Sequence, residues 1–182
     1  DTSMGFTPLE GLMMGTRSGN LDLGAMLFLM KKESNANETV SQLLKRSDDI
    51  LNKKSGMIGI CGFSDMRDAQ NAAEKGDERC KLALEMYAYR VKKFVGSYAA
   101  AMGGVDIIVF SGGIGENNIN VRKNVCSNLE FMGVEFDEKI NASTHGETKL
   151  ISKHESKVKV IIVPTNEELV IARDTMKLIS NK

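Results

Sequence analysis

Two short runs of β-branched and apolar residues interrupt an otherwise helical pattern of hydrophobic and polar positions. Residues 105–110 read VDIIVF and residues 158–163 read VKVIIV. Each run is followed by a polar loop and then by a helical pattern, over residues 119–129 and 167–179. Continuous apolar runs of this length are typical of strands that are covered on both faces. The pattern predicts a layered α/β fold, in which ligands bind beyond the carboxyl ends of the strands.

Helical periodicity dominates the chain before the first strand. The turn-rich segment 1–24 is predicted to be a loop region, and helices are predicted over residues 24–29 and 39–52. The longest periodic segment, residues 78–102, carries a broad apolar face. Gly103 follows it, and glycine is typical of the position at which a helix ends.

The charges of the chain balance, with 24 Lys and Arg against 24 Asp and Glu in 182 residues. Such a chain has no net field to attract a polyanion, so we expect it to bind neither nucleic acid nor a membrane surface. Cys61, Cys80 and Cys126 lack the spacing of metal ligands, which favours a reducing compartment. Without a targeting pattern or a long apolar run, a cytoplasmic protein is predicted. The chain begins at Asp1 rather than Met, so we expect it to be a piece of a longer protein.

A glycine-rich segment, residues 111–117 (SGGIGEN), follows the first predicted strand. Because glycines lack Cβ, such a loop brings backbone N–H groups close to a ligand. A tight strand-to-helix turn without any ligand explains the same residues equally well. The dinucleotide fingerprint would need a glycine in place of Asn118, and a P-loop would need a Gly-Lys-Ser/Thr ending. Asn118 and the late position of the loop in the chain disfavour a nicotinamide-dependent dehydrogenase.

Two further segments carry charged side chains suited to phosphate chemistry. Arg17 lies in Gly-Thr-Arg-Ser-Gly, where a guanidinium fork fits phosphate oxygens, although a solvated surface arginine is the alternative. Glu167 and Glu168 open the last predicted helix, where the helix dipole by itself favours acidic residues. Thr165 and Glu168 match a T-x-x-E capping box, which leaves Glu167 to hold Mg²⁺. Residues 65–68 (DMRD) are predicted to form a charged turn.

Taken together, several segments of the chain closely resemble the acetate kinase family. They are residues 1–19, 64–68, 88–93, 110–117 and 164–168, so the resemblance extends over the whole chain. It implies an α/β fold of the actin-like ATPase (ribonuclease H-like) type, a layered sheet with helices on both faces. It also implies that residues 1–182 are the carboxyl-terminal nucleotide-binding domain, incomplete because the amino half is absent.

The resemblance further implies an enzyme, a phosphotransferase that moves a phosphoryl group reversibly between ATP and acetate to give acetyl phosphate and ADP. Mg²⁺ is the expected metal, with Mn²⁺ as a substitute, and a homodimer is the expected assembly. The resemblance assigns a catalytic role to Arg17, nucleotide contacts to Asp65, Met66, Arg67, Gly113, Ile114, Gly115, Glu116 and Asn117, and a metal-binding role to Glu167.

The chain departs from the family pattern in two respects that bear on function. Residues 59–65 (GICGFSD) hold one serine fewer than the usual run before the Asp-Met-Arg segment. The acetate-binding arginine and the catalytic aspartate of the family lie in the absent amino half. We therefore expect the chain alone to be inactive. The alternative is a nucleotide-binding or dimerisation module that performs no chemistry.

Overall fold

The computed structural model describes residues 1–33 and 37–180. The chain divides into two compact units, Asp1–Tyr98 and Ala99–Lys182. Helices together with a small sheet confirm the predicted mixed α/β class. The assignment of residues 1–182 to one nucleotide-binding domain stays a prediction. Within the described ranges, no helix is both long and apolar enough to cross a membrane.

In the described part of the first unit, residues 1–22 form turns and bends, as predicted for segment 1–24, and the regular elements after them are helices. The helices predicted over 24–29, 39–52 and 78–102 are confirmed, whereas the charged turn predicted at 65–68 is wrong, because Asp65 caps a helix that begins at the next residue. The structure has α1 (Leu23–Glu33), α2 (Val40–Lys53), α3 (Gly56–Cys61), α4 (Met66–Glu74) and α5 (Glu78–Met102), which continues into the second unit.

Sequence signals at two helix ends account for their positions. Thr39 forms a capping box with Gln42 at the start of α2: its hydroxyl accepts from the Gln42 amide at 3.3 Å, and the Gln42 side chain accepts from the Thr39 amide at 2.9 Å. At the end of α5, Gly103 has a φ of 74°. The following amide, of Gly104, donates to the Ala99 carbonyl at 2.9 Å, which satisfies a carbonyl that the helix leaves unpaired.

The second unit contains a sheet whose strand order is β1 (Ile107–Phe110), β3 (Lys159–Ile162) and β2 (Lys149–Leu150). β1 and β3 are parallel, with Ile108 opposite Val160, and β2 pairs with β3 in the antiparallel direction. The two predicted strands are confirmed and β2 was not predicted. The helices are α6 (Gly112–Asn117), α7 (Ile119–Cys126), a short 3₁₀ helix (Glu130–Met132), α8 (Glu138–Ala142) and α9 (Glu167–Ser180).

β1 buries one face only. Ile108 and Phe110 are 8% exposed, whereas Ile107 and Val109 are 55% and 54% exposed. This differs from the prediction that the run is covered on both faces. Successive side chains of a strand point to opposite faces, and in the described structure only the face of Ile108 and Phe110 is packed. The buried apolar residues of the unit include Ile108, Phe110, Val121, Val125, Cys126, Leu129, Val134, Ile151, Val158, Val160 and Ile162.

Candidate active site

The Arg17 loop, residues 14–18, is anchored to the end of α2. The Thr16 hydroxyl donates to the Asn52 carbonyl at 2.9 Å, and Nε of Arg17 lies 3.4 Å from the side-chain oxygen of Asn52. The Arg17 side chain is half-buried, which rules out a fully solvated surface arginine. Its guanidinium also makes a long contact of 3.9 Å to the sulfur of Met14. The backbone of Arg17 is fixed, since its carbonyl accepts from the Met14 amide at 3.0 Å, whereas its side chain is held by long hydrogen bonds.

Two glycines allow this loop to pack closely against its neighbours. A Cβ at Gly56, where φ is +65°, would collide with the Met14 carbonyl oxygen. A Cβ at Gly15 would lie 2.5 Å from the carbonyl oxygen of Ser64. The Gly15 contact brings the Arg17 loop against the residue immediately before Asp65. The structure therefore places two of the predicted site segments side by side in the first unit.

Asp65 and Arg67 are bound to each other at the start of α4. The Asp65 carboxylate accepts from the Arg67 amide at 2.8 Å and from the Arg67 guanidinium at 3.1 and 2.7 Å. The side-chain hydrogen bond from Arg67 is the main reason that the pKa of Asp65 falls to about 2. The Arg67 side chain is 87% exposed, whereas Met66 is buried in the core of the unit. Arg67 is thus accessible to a ligand, and the side chain of Met66 is not.

The glycine segment is a helix rather than the predicted loop. It forms α6, in which Gly112 has a φ of +70° and the Asn117 side chain donates to the Gly113 carbonyl at 3.1 Å. A Cβ at Gly113 would meet no atom within 4 Å, whereas one at Gly115 would lie 3.2 Å from the carbonyl carbon of Phe110. Gly113 leaves its backbone open to a ligand, and Gly115 permits close packing on β1.

Thr165 joins α6 to the segment that precedes α9. Its amide and its hydroxyl both donate to the Glu116 carboxylate, at 2.8 and 2.9 Å. The same hydroxyl accepts from the Gly112 amide at 3.0 Å and lies 2.9 Å from the Ser111 hydroxyl. The backbone hydrogen bond from Thr165, followed by its hydroxyl, lowers the pKa of Glu116. Two predicted site segments therefore meet in the second unit.

The predicted capping box between Thr165 and Glu168 is wrong. Asn166 caps α9 instead, because its side-chain oxygen accepts from the Leu169 amide at 3.0 Å, while the Thr165 hydroxyl is bonded to α6. Glu167 and Glu168 are both exposed in the first turn of α9. The capping argument therefore does not separate them, and the metal-binding role of Glu167 stays a prediction carried by the family resemblance.

The donor set at Glu167 fits Mg²⁺ in a limited way. Within residues 1–33 and 37–180, no three His, Cys, Asp or Glu side chains cluster as a metal site. Mg²⁺ usually retains several waters and is held by one or two carboxylates together with substrate phosphates. The single exposed carboxylate of Glu167 fits that pattern, in which substrate phosphates supply further ligands, and it does not fit a cage built from protein side chains alone.

Arg122 was not predicted as a functional residue, yet it holds the carboxyl end of α6. It is fully buried, and its guanidinium donates to the carbonyls of Gly115 and Glu116 at 3.0 and 2.8 Å. It also donates to the Asn141 side chain and to the Thr144 carbonyl, at 2.7 and 2.9 Å. Burial lowers the pKa of Arg122. Its position three residues before Val125, on the core face of a predicted helix, is a signal that could have identified it.

Comparisons with known proteins agree with this architecture. An acetate kinase of Carboxydothermus hydrogenoformans is 54% identical over 182 residues, which is 100% of this chain and 44% of the relative. The crystal structure of Porphyromonas gingivalis acetate kinase superposes with a TM-score of 0.87 at 51% identity, covering 97% of this chain and 43% of that one. A propionate kinase from Francisella tularensis gives a TM-score of 0.80 at 44% identity, covering 94% and 42%.

The fold is thus a partial α/β domain of the actin-like ATPase type. The family model described as the acetokinase family matches residues 1–173, and the chain belongs to that family. It spans less than half the length of the curated relatives it matches.

Proposed function

We propose that this chain is the nucleotide-side part of an acetate kinase. With an amino-terminal part it would transfer a phosphoryl group reversibly between ATP and acetate, giving acetyl phosphate and ADP. The single observation that carries the proposal is the 54% identity to an acetate kinase along all 182 residues. Action in the cytoplasm as a homodimer is part of the same proposal and is supported by the resemblance alone.

Arg17 is proposed as the catalytic residue of this chain. Phosphoryl transfer needs positioning and neutralisation of charge on the transferred group more than it needs covalent chemistry from the protein. A half-buried guanidinium in an anchored loop supplies a preorganised positive charge. Its side-chain hydrogen bonds to Asn52 and Met14, at 3.4 and 3.9 Å, are long, so exchanging them for phosphate oxygens costs little.

Two segments are proposed to bind the nucleotide. Residues 113–117 offer open backbone at Gly113, and Glu116 and Thr165 fix the helix in place. Residues 65–67 offer the exposed guanidinium of Arg67, which Asp65 orients. Glu167 would hold Mg²⁺, with Mn²⁺ as a substitute. The metal, when bound, neutralises phosphate charge.

The test uses a reconstituted enzyme, which we define as this chain together with the amino-terminal part of an acetate kinase relative. The assay traps acetyl phosphate formed from ATP and acetate as the hydroxamate. We expect turnover with acetate. Its absence, in a preparation that binds ADP, would favour a nucleotide-binding module without chemistry.

The nucleotide assignment has a matched pair of variants. Gly113→Val is expected to weaken ATP binding, because its side chain would occupy the open space above the helix. Gly96→Val is the control. Gly96 lies in α5, and a Cβ at this position also meets no atom within 4 Å. Calorimetry measures both. Equal ATP affinity in the two variants would contradict the assignment.

A further inference from the structure

The hydroxyl of Thr165 has a fixed direction. A threonine hydroxyl has one proton to donate and two lone pairs that accept. The carboxylate of Glu116 only accepts, so the Thr165 proton points to Glu116 at 2.9 Å. The lone pairs then accept from the Gly112 amide at 3.0 Å and from the Ser111 hydroxyl at 2.9 Å. Every hydrogen-bonding site of this hydroxyl is therefore used, and all of its partners lie in or next to α6.

α6 depends on such contacts from outside the helix. It has six residues, three of them glycine. Short helices are marginal by themselves, and glycine disfavours the helical state. Thr165 binds its first residue, Gly112, and its fifth, Glu116, and so spans most of its length. The position of the glycine segment is therefore tied to the backbone of Thr165, which stands two residues before Glu167 in the chain.

We propose that Thr165 is a positioning residue that couples nucleotide binding at the glycine segment to metal binding at Glu167. This inference rests on the proposed function. A nucleotide bound at Gly113 fixes α6, and α6 in turn fixes Thr165 and the start of α9. Mg²⁺ bound at Glu167 acts through the same connection in the opposite direction, because coupling between two sites is reciprocal.

The measurement is the ratio of the ADP dissociation constants without and with saturating Mg²⁺, obtained by calorimetry on the reconstituted enzyme. Thr165→Val retains the shape and removes the hydroxyl. We expect the ratio to fall about fivefold to tenfold, because the variant loses the three hydrogen bonds of an exposed hydroxyl, where water replaces part of each. Thr165→Ser restores the hydroxyl and should restore the ratio. Thr175→Val is the control, because the Thr175 hydroxyl donates only to the Ile171 carbonyl of its own helix, at 2.8 Å.

A double-mutant cycle with Glu116→Gln provides a second readout. If the two residues act through the hydrogen bond between them, the double variant loses less than the sum of the two single losses. A ratio in Thr165→Val equal to that of the unmodified enzyme would overturn the coupling. Equal loss in Thr165→Ser and Thr165→Val would overturn it as well.

Failure of the proposed function gives a different pattern. If Gly113→Val leaves ADP affinity unchanged and Glu167→Ala leaves the Mg²⁺ dependence unchanged, the site assignment itself is wrong and the coupling fails with it. If both of those variants act as expected and Thr165→Val does not, only the coupling is wrong.

Discussion

Arg122 donates to the side-chain oxygen of Asn141 at 2.7 Å from a position that solvent does not reach. Its guanidinium also donates to backbone carbonyls, at the carboxyl end of α6 and at that of α8. Carbonyls at helix carboxyl ends carry partial negative charge, so they stabilise a buried cation without a carboxylate. Arg122 thereby fixes one end of the proposed nucleotide segment from the interior of the unit.

Arg122→Met is expected to lower the free energy of unfolding of the second unit by about 3 kcal/mol or more, because it leaves several buried carbonyls without donors. Arg122→Lys should retain part of that stability, since an ammonium replaces fewer of the hydrogen bonds. Urea denaturation, with hydrogen exchange of the β3 amides as a local readout, measures the loss. The exposed Arg173→Met on α9 is the control, and similar losses in the two Met variants would contradict the role of Arg122.

Glu167 and Glu168 provide a matched pair for the metal assignment, because both are exposed in the first turn of α9. In the reconstituted enzyme, Glu167→Ala should raise the Mg²⁺ concentration for half-maximal rate by at least about tenfold, as expected for a change at a metal site. Glu168→Ala should leave it unchanged, since the family resemblance assigns the metal to Glu167 and not to Glu168. The measurement is the rate of acetyl phosphate formation of each variant as a function of the Mg²⁺ concentration. If Glu168→Ala raised that Mg²⁺ concentration more than Glu167→Ala does, the metal ligand would be Glu168 instead of Glu167.

The Asp65–Arg67 pair predicts an acid-dependent stability. The pKa of Asp65 is lowered from 3.8 to about 2 by Arg67, so its contribution is present above pH 3.8 and is lost as the pH falls towards 2. Carbon-13 NMR of the carboxyl group measures the midpoint directly. Arg67→Met should move that midpoint back towards 3.8. A midpoint near 3.8 in the unmodified chain would show that the two side chains are not paired in solution.

The sequence alone was sufficient to predict the elements that are determined by residues close together in the chain. The β-branched runs predicted β1 and β3, and glycine predicted the end of α5. α6 was predicted to be a loop because glycine has a low intrinsic preference for helix. Its stability comes instead from Arg122 and Thr165, and the partner of the Thr165 side chain, Glu116, is 49 residues away. Contacts at that separation leave no periodic signal in one sequence.

The same limit explains why the capping box predicted at residues 165–168 is wrong. The T-x-x-E spacing of residues 165–168 is a valid capping signal, but Asn166 competes for the cap and Glu116 competes for the Thr165 hydroxyl. Arg122 differs, because a charged residue on the apolar face of a predicted helix can be recognised from periodicity alone. Such a residue needs partners in the interior, and those partners here are the carbonyls of the proposed nucleotide segment.

The rate of acetyl phosphate formation is expected to depend both on Arg17 and on the amino-terminal part. In the reconstituted enzyme, Arg17→Ala should lower the rate of acetyl phosphate formation by about 10³ to 10⁵, the loss seen when an arginine that stabilises a transferred phosphoryl group is removed. Arg17→Lys should recover only part of it, because lysine retains the charge and lacks the guanidinium fork. Arg79→Ala, at an exposed position of α5, is the control.

The 182 residues alone should give no acetyl phosphate in the hydroxamate assay, since the resemblance assigns the groups that orient acetate to the amino half. Turnover by the purified chain would show that the amino-terminal part is not required.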